Sequence, residues 1–343
     1  MNDRLRSCVW EITLACCFSC RHCGSRAGHA RENELSTEEC LDVAGQLAEL
    51  GCRRVSLIGG EVFMRHDWAE ITKALTDRGI AASIITNGFA FSPEMIRTLK
   101  DVHIESVAVS IDGTREIHDA LRQQGSFDRA IKAVDDLCGA GILVSVITTL
   151  NSENIRCLDD MYTILSAKNI FAWQLQACSP MGNAADTGID YRFDHRKAIE
   201  FVEKHLSDEG FVIGVADNIG YFSASEGYIR GNKSGAAIYR GCRAGLRSIG
   251  IDSTGNVRGC ESMYDERFNE GNLRSRTLKE IWEDPEAFAY NRKFTTDLLQ
   301  GKCRGCRHAS LCAGGCRSYN YFTCGDMYCH EDCAIMSAYV EER

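Results

Sequence analysis

A chain of 343 residues with 44% hydrophobic and 25% charged residues has the composition of a globular protein, long enough for two domains around at least one sizeable core. Its 48 acidic against 39 basic residues leave a formal net charge of -9, which excludes a surface built to neutralise a phosphate backbone and so nucleic acid as a main partner. No apolar run reaches membrane-spanning length, and Asp3, Arg4, Arg6 and Glu11 break the N-terminus where a signal peptide would be apolar, so a cytoplasmic protein with no membrane partner and reduced thiols is expected.

Short β-branched runs alternate with amphipathic stretches through the first 210 residues, the pattern of βα units around a parallel sheet. Strands are predicted at 8–13, 54–58, 82–86, 106–111, 143–149 and 171–176, each followed by a helical stretch. The clearest helices are 36–50, opened by Ser36 and Glu39 at capping-box spacing, and 127–138, where apolar residues recur at helical intervals. Six units fall short of the eight that close a barrel. The fold class predicted for residues 1–222 is therefore α/β, a partial (β/α)6 TIM-like barrel, with its chemistry on loops after the strand C-terminal ends. Residues 223–240, rich in Gly and Ser, read as a connection. In 241–343 the texture changes: strands at 247–252 and 256–260 flank Ser253-Thr254-Gly255 as a hairpin, and a short helix at 278–282 ends before Pro285. Seven cysteines then fall between Cys303 and Cys333, which predicts a domain held by metal rather than by a hydrophobic core.

The cysteine total is 19, an odd number, and in a reduced compartment it points to ligands more than to disulfides. Cys16, Cys20 and Cys23 stand as C-x3-C-x2-C just after the first predicted strand. Three thiolates can each hold one iron of a 4Fe-4S cube and leave the fourth iron open; a zinc site completed by His22 is the alternative the spacing leaves. Gly59-Gly60-Glu61 follows the second strand, where glycines allow a close backbone approach and a carboxylate can accept from an ammonium group.

Together these motifs resemble the radical S-adenosylmethionine (SAM) superfamily, with His22 in the place before the last cysteine. The resemblance implies a 4Fe-4S cluster on Cys16, Cys20 and Cys23 whose open iron chelates SAM and whose reduction yields a 5'-deoxyadenosyl radical. It implies that Gly59, Gly60 and Glu61 meet the SAM amino group, that Ser110 in Ser-Ile-Asp-Gly contacts SAM, and that Arg122 faces its carboxylate. Pro180 to Ala184 resembles a loop common in relatives. Further on, Cys242, Gly255, Cys260, Cys303, Cys306, Cys312 and Cys316 resemble the SPASM domain, whose two auxiliary clusters bring the expected total to three 4Fe-4S clusters. By that resemblance Cys242, Cys260 and Cys316 hold the first auxiliary cluster, while Cys303, Cys306, Cys312 and Cys329 hold the second. Cys324 and Cys333 are the other positions for the final ligand, and Cys324 or water could complete the first cluster. Cys40, Cys52, Cys138 and Cys157 read as small packed thiols.

The family implies an oxidative enzyme that crosslinks, dehydrogenates or excises residues of a ribosomally made peptide. The alternatives are an anaerobic sulfatase-maturing type and a small-molecule dehydrogenase or haem-pathway enzyme. An electron carrier alone would need no Gly-Gly-Glu site. The expected partners are a precursor peptide and a reductant such as ferredoxin or flavodoxin. Because only seven residues precede the first strand, a separate peptide-recognition protein is also expected. Glu261 stands where sulfatase-maturing relatives carry a catalytic aspartate, and so is the candidate base. Cys178, after the sixth strand, is a candidate hydrogen-atom donor at the barrel mouth.

Overall fold

The computed structural model describes residues 4–89, 91–231 and 237–335. The first six βα units run β1 (Ser7–Thr13), α1 (Thr37–Glu49), β2 (Arg54–Gly59), α2 (Trp68–Thr76), β3 (Ala81–Thr86), α3 (Pro93–Asp101), β4 (Ser106–Ser110), α4 (Arg115–Leu121), α5 (Ser126–Gly139), β5 (Val144–Leu150), α6 (Leu158–Ser166) and β6 (Ala172–Ala177). The six strands predicted in this region are each present to within one residue at each end; the strand predicted at 256–260 ends at Arg258. Ser36 caps α1 in the predicted box, accepting from Glu39 N–H at 3.2 Å while Glu39 accepts from Ser36 N–H at 2.7 Å. After β6 come α7 (Asn183–Asp186), α8 (His195–Lys204) and β7 (Val212–Val215), a short seventh parallel strand that the sequence pattern did not mark. Next are α9 (Glu226–Ile229), β8 (Ser248–Ile251), β9 (Asn256–Arg258), β10 (Gly271–Asn272), α10 (Leu278–Glu283), α11 (Ala289–Arg292), α12 (Ala309–Cys312) and α13 (Arg317–Cys324). The helical stretch expected at the C-terminus lies outside the described residues, as do residues 232–236 of the expected connection.

One open sheet joins all ten strands in the order β10-β9-β8-β1-β2-β3-β4-β5-β6-β7. The predicted hairpin forms: Asp252 Oδ1 accepts from Thr254 N–H at 2.9 Å and Asn256 N–H at 3.0 Å, and Gly255 supplies φ +87° at the turn. Its strand β8 pairs in parallel with β1, from Ser7 opposite Ser248 to Trp10 opposite Ile251. The core crosses with it. Ile249, Ile251, Val257, Leu278, Ile281 and Trp282 belong to the same buried cluster as Trp10, Leu47 and Leu57. The C-terminal region thus rests on a shared apolar core as well as on its cysteines, which corrects the expectation of a region held by metal alone. Each fully buried side chain of this kind contributes about 1.5–3 kcal/mol.

Alternation along the strands separates two faces. Val55, Leu57, Ala82, Ile84, Val107, Val109, Val144, Val146, Trp173 and Leu175 are buried in the core with the helices. The opposite positions, among them Ser56, Ser83, Ser110, Ser145, Gln174 and Gln176, retain solvent exposure. They line the uncovered concave side. Ser56 and Ser83 hydroxyls meet there at 3.0 Å, and Gln176 Nε2 donates to Thr149 Oγ1 at 3.0 Å.

Candidate active site and auxiliary cluster sites

The loop that follows β1 carries Cys16, Cys20 and Cys23, and two other loops clamp it. From the end of β2, Gly60 N–H donates to Thr13 O at 2.8 Å and Glu61 N–H to Ala15 O at 2.7 Å. A Cβ on Gly60 would stand 2.3 Å from Ala15 O, and one on Gly59 2.5 Å from Thr13 O. Both glycines are therefore demanded by the cysteine loop itself. From the other side, Asn183 donates through N–H to Cys23 O at 2.8 Å and through Nδ2 to Cys20 O at 3.0 Å. Gly182, at φ +57°, packs where a Cβ would meet Cys23 O at 2.4 Å. The Pro180 to Ala184 segment thus works as a brace for the cysteine loop.

Glu61 is buried. Its Oε1 accepts from Thr86 Oγ1 at 2.8 Å and Phe63 N–H at 3.4 Å, and its Oε2 from Asn87 N–H at 2.8 Å. A carboxylate has about four acceptor positions, so these three leave room for one more donor. Burial pushes its carboxyl up, against the pull of the Asn87 and Thr86 donors. Asn87, which sequence reading missed, also brings Nδ2 to 3.8 Å from Cys16 Sγ and 3.6 Å from Cys17 Sγ. The readable signal was a Thr-Asn-Gly turn at the C-terminal end of a barrel strand.

Asp112 is the second residue that sequence reading passed over. Its Oδ2 lies 3.0 Å from His22 Nε2 and accepts from Arg122 Nε at 2.5 Å, while Oδ1 accepts from Thr149 N–H at 2.8 Å. Burial opposes its charge, but Arg122 and then His22 outweigh it and hold the carboxyl well below the usual range. His22 and Arg122, expected as separate SAM contacts, are thus joined through one carboxylate. Arg122 acts electrostatically on Cys20, whose thiol burial pushes up to about 12. Ser110 ends β4 two residues before Asp112, and its hydroxyl makes no hydrogen bond among the described residues. Binding iron here requires those thiols to lose their protons, which couples cluster assembly to pH.

In the C-terminal region Cys242 and Cys260 pack with Tyr290 against Ala244, Met263 and Phe268. Cys316 N–H donates to Tyr221 OH at 3.1 Å, and burial, then Cys242 and Cys260, push the Cys316 thiol up. The three cysteines assigned to the first auxiliary cluster are therefore neighbours. A separate small cavity, about 20 Å³, is lined by Cys303, Cys306, Cys312 and Cys333, with Tyr221 and His330 in its wall. Cys329, the expected fourth ligand, lies just beyond that wall: its Sγ is against Gly301, where a Cβ would stand 2.6 Å away, and Cys303 acts on its thiol electrostatically, while the next residue, His330, donates through N–H to Cys303 Sγ at 3.3 Å. Four thiols around an apolar cavity suit an iron–sulfur cluster. Cys324 has Glu331 and Cys329 as its charged neighbours and its Sγ contacts Thr323 Oγ1 at 3.3 Å, which places it beside this second site.

Glu261 sits over Gly250, where a Cβ would stand 2.3 Å from Glu261 N, on the same face of the sheet as Val9 of β1. Its carboxyl is buried, makes no hydrogen bond among the described residues, and lies 3.9 Å from Arg258 Nη1. Burial, with Glu11 adding, pushes it well above the usual carboxylate range. Cys178 does not face the barrel mouth. It is 2% exposed and packs with Leu121, Ala184 and Ile189, so the reading as a hydrogen-atom donor gives way to a core thiol. Cys40, Cys52 and Cys157 are likewise buried core thiols.

Residues 10–165 match the radical SAM superfamily, and residues 242–307 match the SPASM iron–sulfur cluster-binding domain. Mycofactocin maturase MftC of Mycolicibacterium smegmatis is 30% identical over 324 residues, which cover 92% of this chain and 79% of that protein. The chain belongs to the radical SAM superfamily. This radical SAM enzyme carries a SPASM domain and binds SAM and an iron–sulfur cluster. It is also 27% identical over 337 residues to the AdoMet-dependent heme synthase of Methanosarcina barkeri, covering 95% of each chain. Its fold is that of Streptococcus suis SuiB bound to S-adenosylmethionine, with a TM-score of 0.77 at 17% identity over 96% of this chain and 77% of that one. The native anSMEcpe structure with bound AdoMet shares it at a TM-score of 0.70, 17% identity, 97% of this chain and 95% of that one. No helix among the described residues is long and apolar enough to cross a membrane.

Proposed function

We propose that this radical SAM enzyme oxidatively modifies a ribosomally made precursor peptide, crosslinking, dehydrogenating or excising its residues. The observation that carries the reading is the concave face, where exposed Gln174 and half-buried Ser56, Ser83, Ser145 and Gln176 are neutral hydrogen-bonding groups suited to peptide amides. Those positions offer no cation to a tetrapyrrole's carboxylates. That favours a peptide over the haem-pathway alternative, which the Methanosarcina barkeri relative would otherwise support. Mycofactocin maturase and the SuiB structure with precursor peptide SuiA support the same substrate class.

In this reading Cys16, Cys20 and Cys23 hold the cluster at which SAM binds, and when bound the cluster and SAM together supply a hydrogen-abstracting 5'-deoxyadenosyl radical. Glu61 receives the SAM ammonium on its remaining acceptor position, and Arg122, held by Asp112, faces the SAM carboxylate. Cys242, Cys260 and Cys316 hold one auxiliary cluster. The second takes Cys303, Cys306, Cys312 and Cys333, for three 4Fe-4S clusters in all, and these accept the electron that the substrate gives up. Glu261, on the concave side, takes the substrate proton. A ferredoxin- or flavodoxin-type protein reduces the first cluster, and the sheet edges or a separate recognition protein hold the leader segment.

Anaerobic incubation with SAM, dithionite and small peptides encoded beside the gene, followed by mass spectrometry, tests this. The expected product is a peptide lighter by two hydrogens or cleaved, with 5'-deoxyadenosine formed alongside and lost in the Cys16/Cys20/Cys23→Ala variant. Conversion of an iron-porphyrin carboxylate in place of any peptide would overturn the reading.

A further inference from the structure

Two hydroxyl groups near the cysteines assigned to the first auxiliary site find no acceptor for their protons among the described residues. Tyr239 is 3% exposed, and its hydroxyl, fully screened from solvent, makes no hydrogen bond among the described residues; the Tyr290 hydroxyl is screened as well and, with the Gly259 backbone N–H against its oxygen, has no acceptor for its own proton among the described residues. A buried phenol normally finds a partner, and leaving one unmade costs about 1–3 kcal/mol. Two such donors indicate an acceptor that the described residues do not supply.

Both flank the three thiols. Tyr290 packs with Cys242 and Cys260, and its hydroxyl lies so close over Gly259, the residue before Cys260, that a Cβ there would stand 1.9 Å from it. Asn291 holds this helix in place by donating to Ala244 O at 2.8 Å, two residues after Cys242. Tyr239 stands three residues before Cys242, and its ring centroid is 4.6 Å from that of Tyr221, whose hydroxyl accepts from Cys316 N–H at 3.1 Å. Tyr290 thus lies against Cys242 and Cys260, while Tyr239 packs with Tyr221 and Cys333 and reaches the Cys316 backbone through the Tyr221 hydroxyl. Burial, with Cys242 among the added causes in both cases, pushes the two phenols up.

We propose that the hydroxyls of Tyr239 and Tyr290 donate hydrogen bonds to the sulfur atoms of the iron–sulfur cluster held by Cys242, Cys260 and Cys316, and that these bonds raise its reduction potential. The proposal rests on the reading that those cysteines hold a cluster. Reduction places added negative charge on the cluster sulfurs, so O–H donors stabilise the reduced form more than the oxidised form. A cluster poised this way accepts an electron from a substrate radical more readily. Tyr239 and Tyr290 are positioning residues that act through the cluster and touch no substrate.

The test uses full-length protein, reconstituted anaerobically with iron and sulfide, in the Cys16/Cys20/Cys23→Ala background so that only auxiliary clusters contribute. ENDOR spectra of the reduced wild-type auxiliary cluster, exchanged into D2O, should show a strongly coupled exchangeable proton. EPR-monitored titration should place the midpoint potential of Tyr239→Phe and Tyr290→Phe below that of the parent, and of the double variant lower still, with the proton coupling lost. An assembled cluster that has no exchangeable proton in the parent, or a double variant with unchanged midpoint, overturns the proposal. If Cys242/Cys260/Cys316→Ala keeps every auxiliary signal, the ligand assignment itself fails. The ENDOR measurement needs no tyrosine variant, so it decides even if the Phe variants assemble poorly.

Discussion

Arg122 donates from Nε to Asp112 Oδ2 at 2.5 Å in the protein interior, and His22 of the cysteine loop reaches the same oxygen at 3.0 Å. One buried carboxylate thus ties the C-terminal cap of α4 to the loop that carries Cys16, Cys20 and Cys23. The charge balance is local: replacing Asp112 strands a guanidinium that is only 10% exposed.

Asp112→Asn should destabilise the fold by about 3–5 kcal/mol, the usual consequence of breaking one side of a buried pair. The pH dependence has a definite sign. Because the folded carboxyl lies below its ordinary value of 3.8, its contribution is fully present above that value and is lost as the pH falls below it. Thermal denaturation from pH 7 downward should show the gap between wild type and variant closing only in the acid range; a constant gap would mean the ionised carboxylate is not what matters.

Gly60→Ala should damage the N-terminal cluster selectively, since its Cβ would press on the carbonyls of Leu14 and Ala15 at 2.5 and 2.3 Å. Both are backbone atoms and cannot swing away. With the three 4Fe-4S clusters proposed above, iron content after reconstitution should fall by about a third, with auxiliary EPR signals retained.

Cys333→Ser and Cys329→Ser should differ. Cys333 shares a small cavity with Cys303, Cys306 and Cys312, whereas the Cys329 Sγ lies against Gly301 at its edge. Loss of the second auxiliary signal in the Cys333 variant and its survival in the Cys329 variant is the expected pattern, read by EPR and iron analysis. The reverse pattern would restore Cys329 as the ligand.

Glu261→Gln removes a buried carboxyl that has no hydrogen-bond partner among the described residues, so the fold and all clusters should persist. SAM cleavage should continue while modified peptide forms more slowly, by about 10²-fold or more if the carboxylate is the general base. Full product turnover in this variant would place the base elsewhere.

The strands were legible because each is a short β-branched run bounded by turn residues, and the cysteine loop because its ligands are adjacent in one segment. Gly59, Gly60 and Glu61 were legible for the same reason, though the glycines answer to the backbone of Leu14 and Ala15 as much as to any ligand. Groups that act across the chain were not legible. Asp112 carries no pattern of its own and Asn87 only a Thr-Asn-Gly turn; they matter because parallel strands bring the ends of β1, β3 and β4 to one rim, where His22, Cys16 and Arg122 lie within reach. The choice of Cys333 over Cys329 for the cavity wall depends on the path the chain takes after α13, which spacing leaves open. Pairing of β8 with β1 likewise follows from edge complementarity between segments more than 230 residues apart, a long-range hydrogen-bonding choice that no local periodicity encodes.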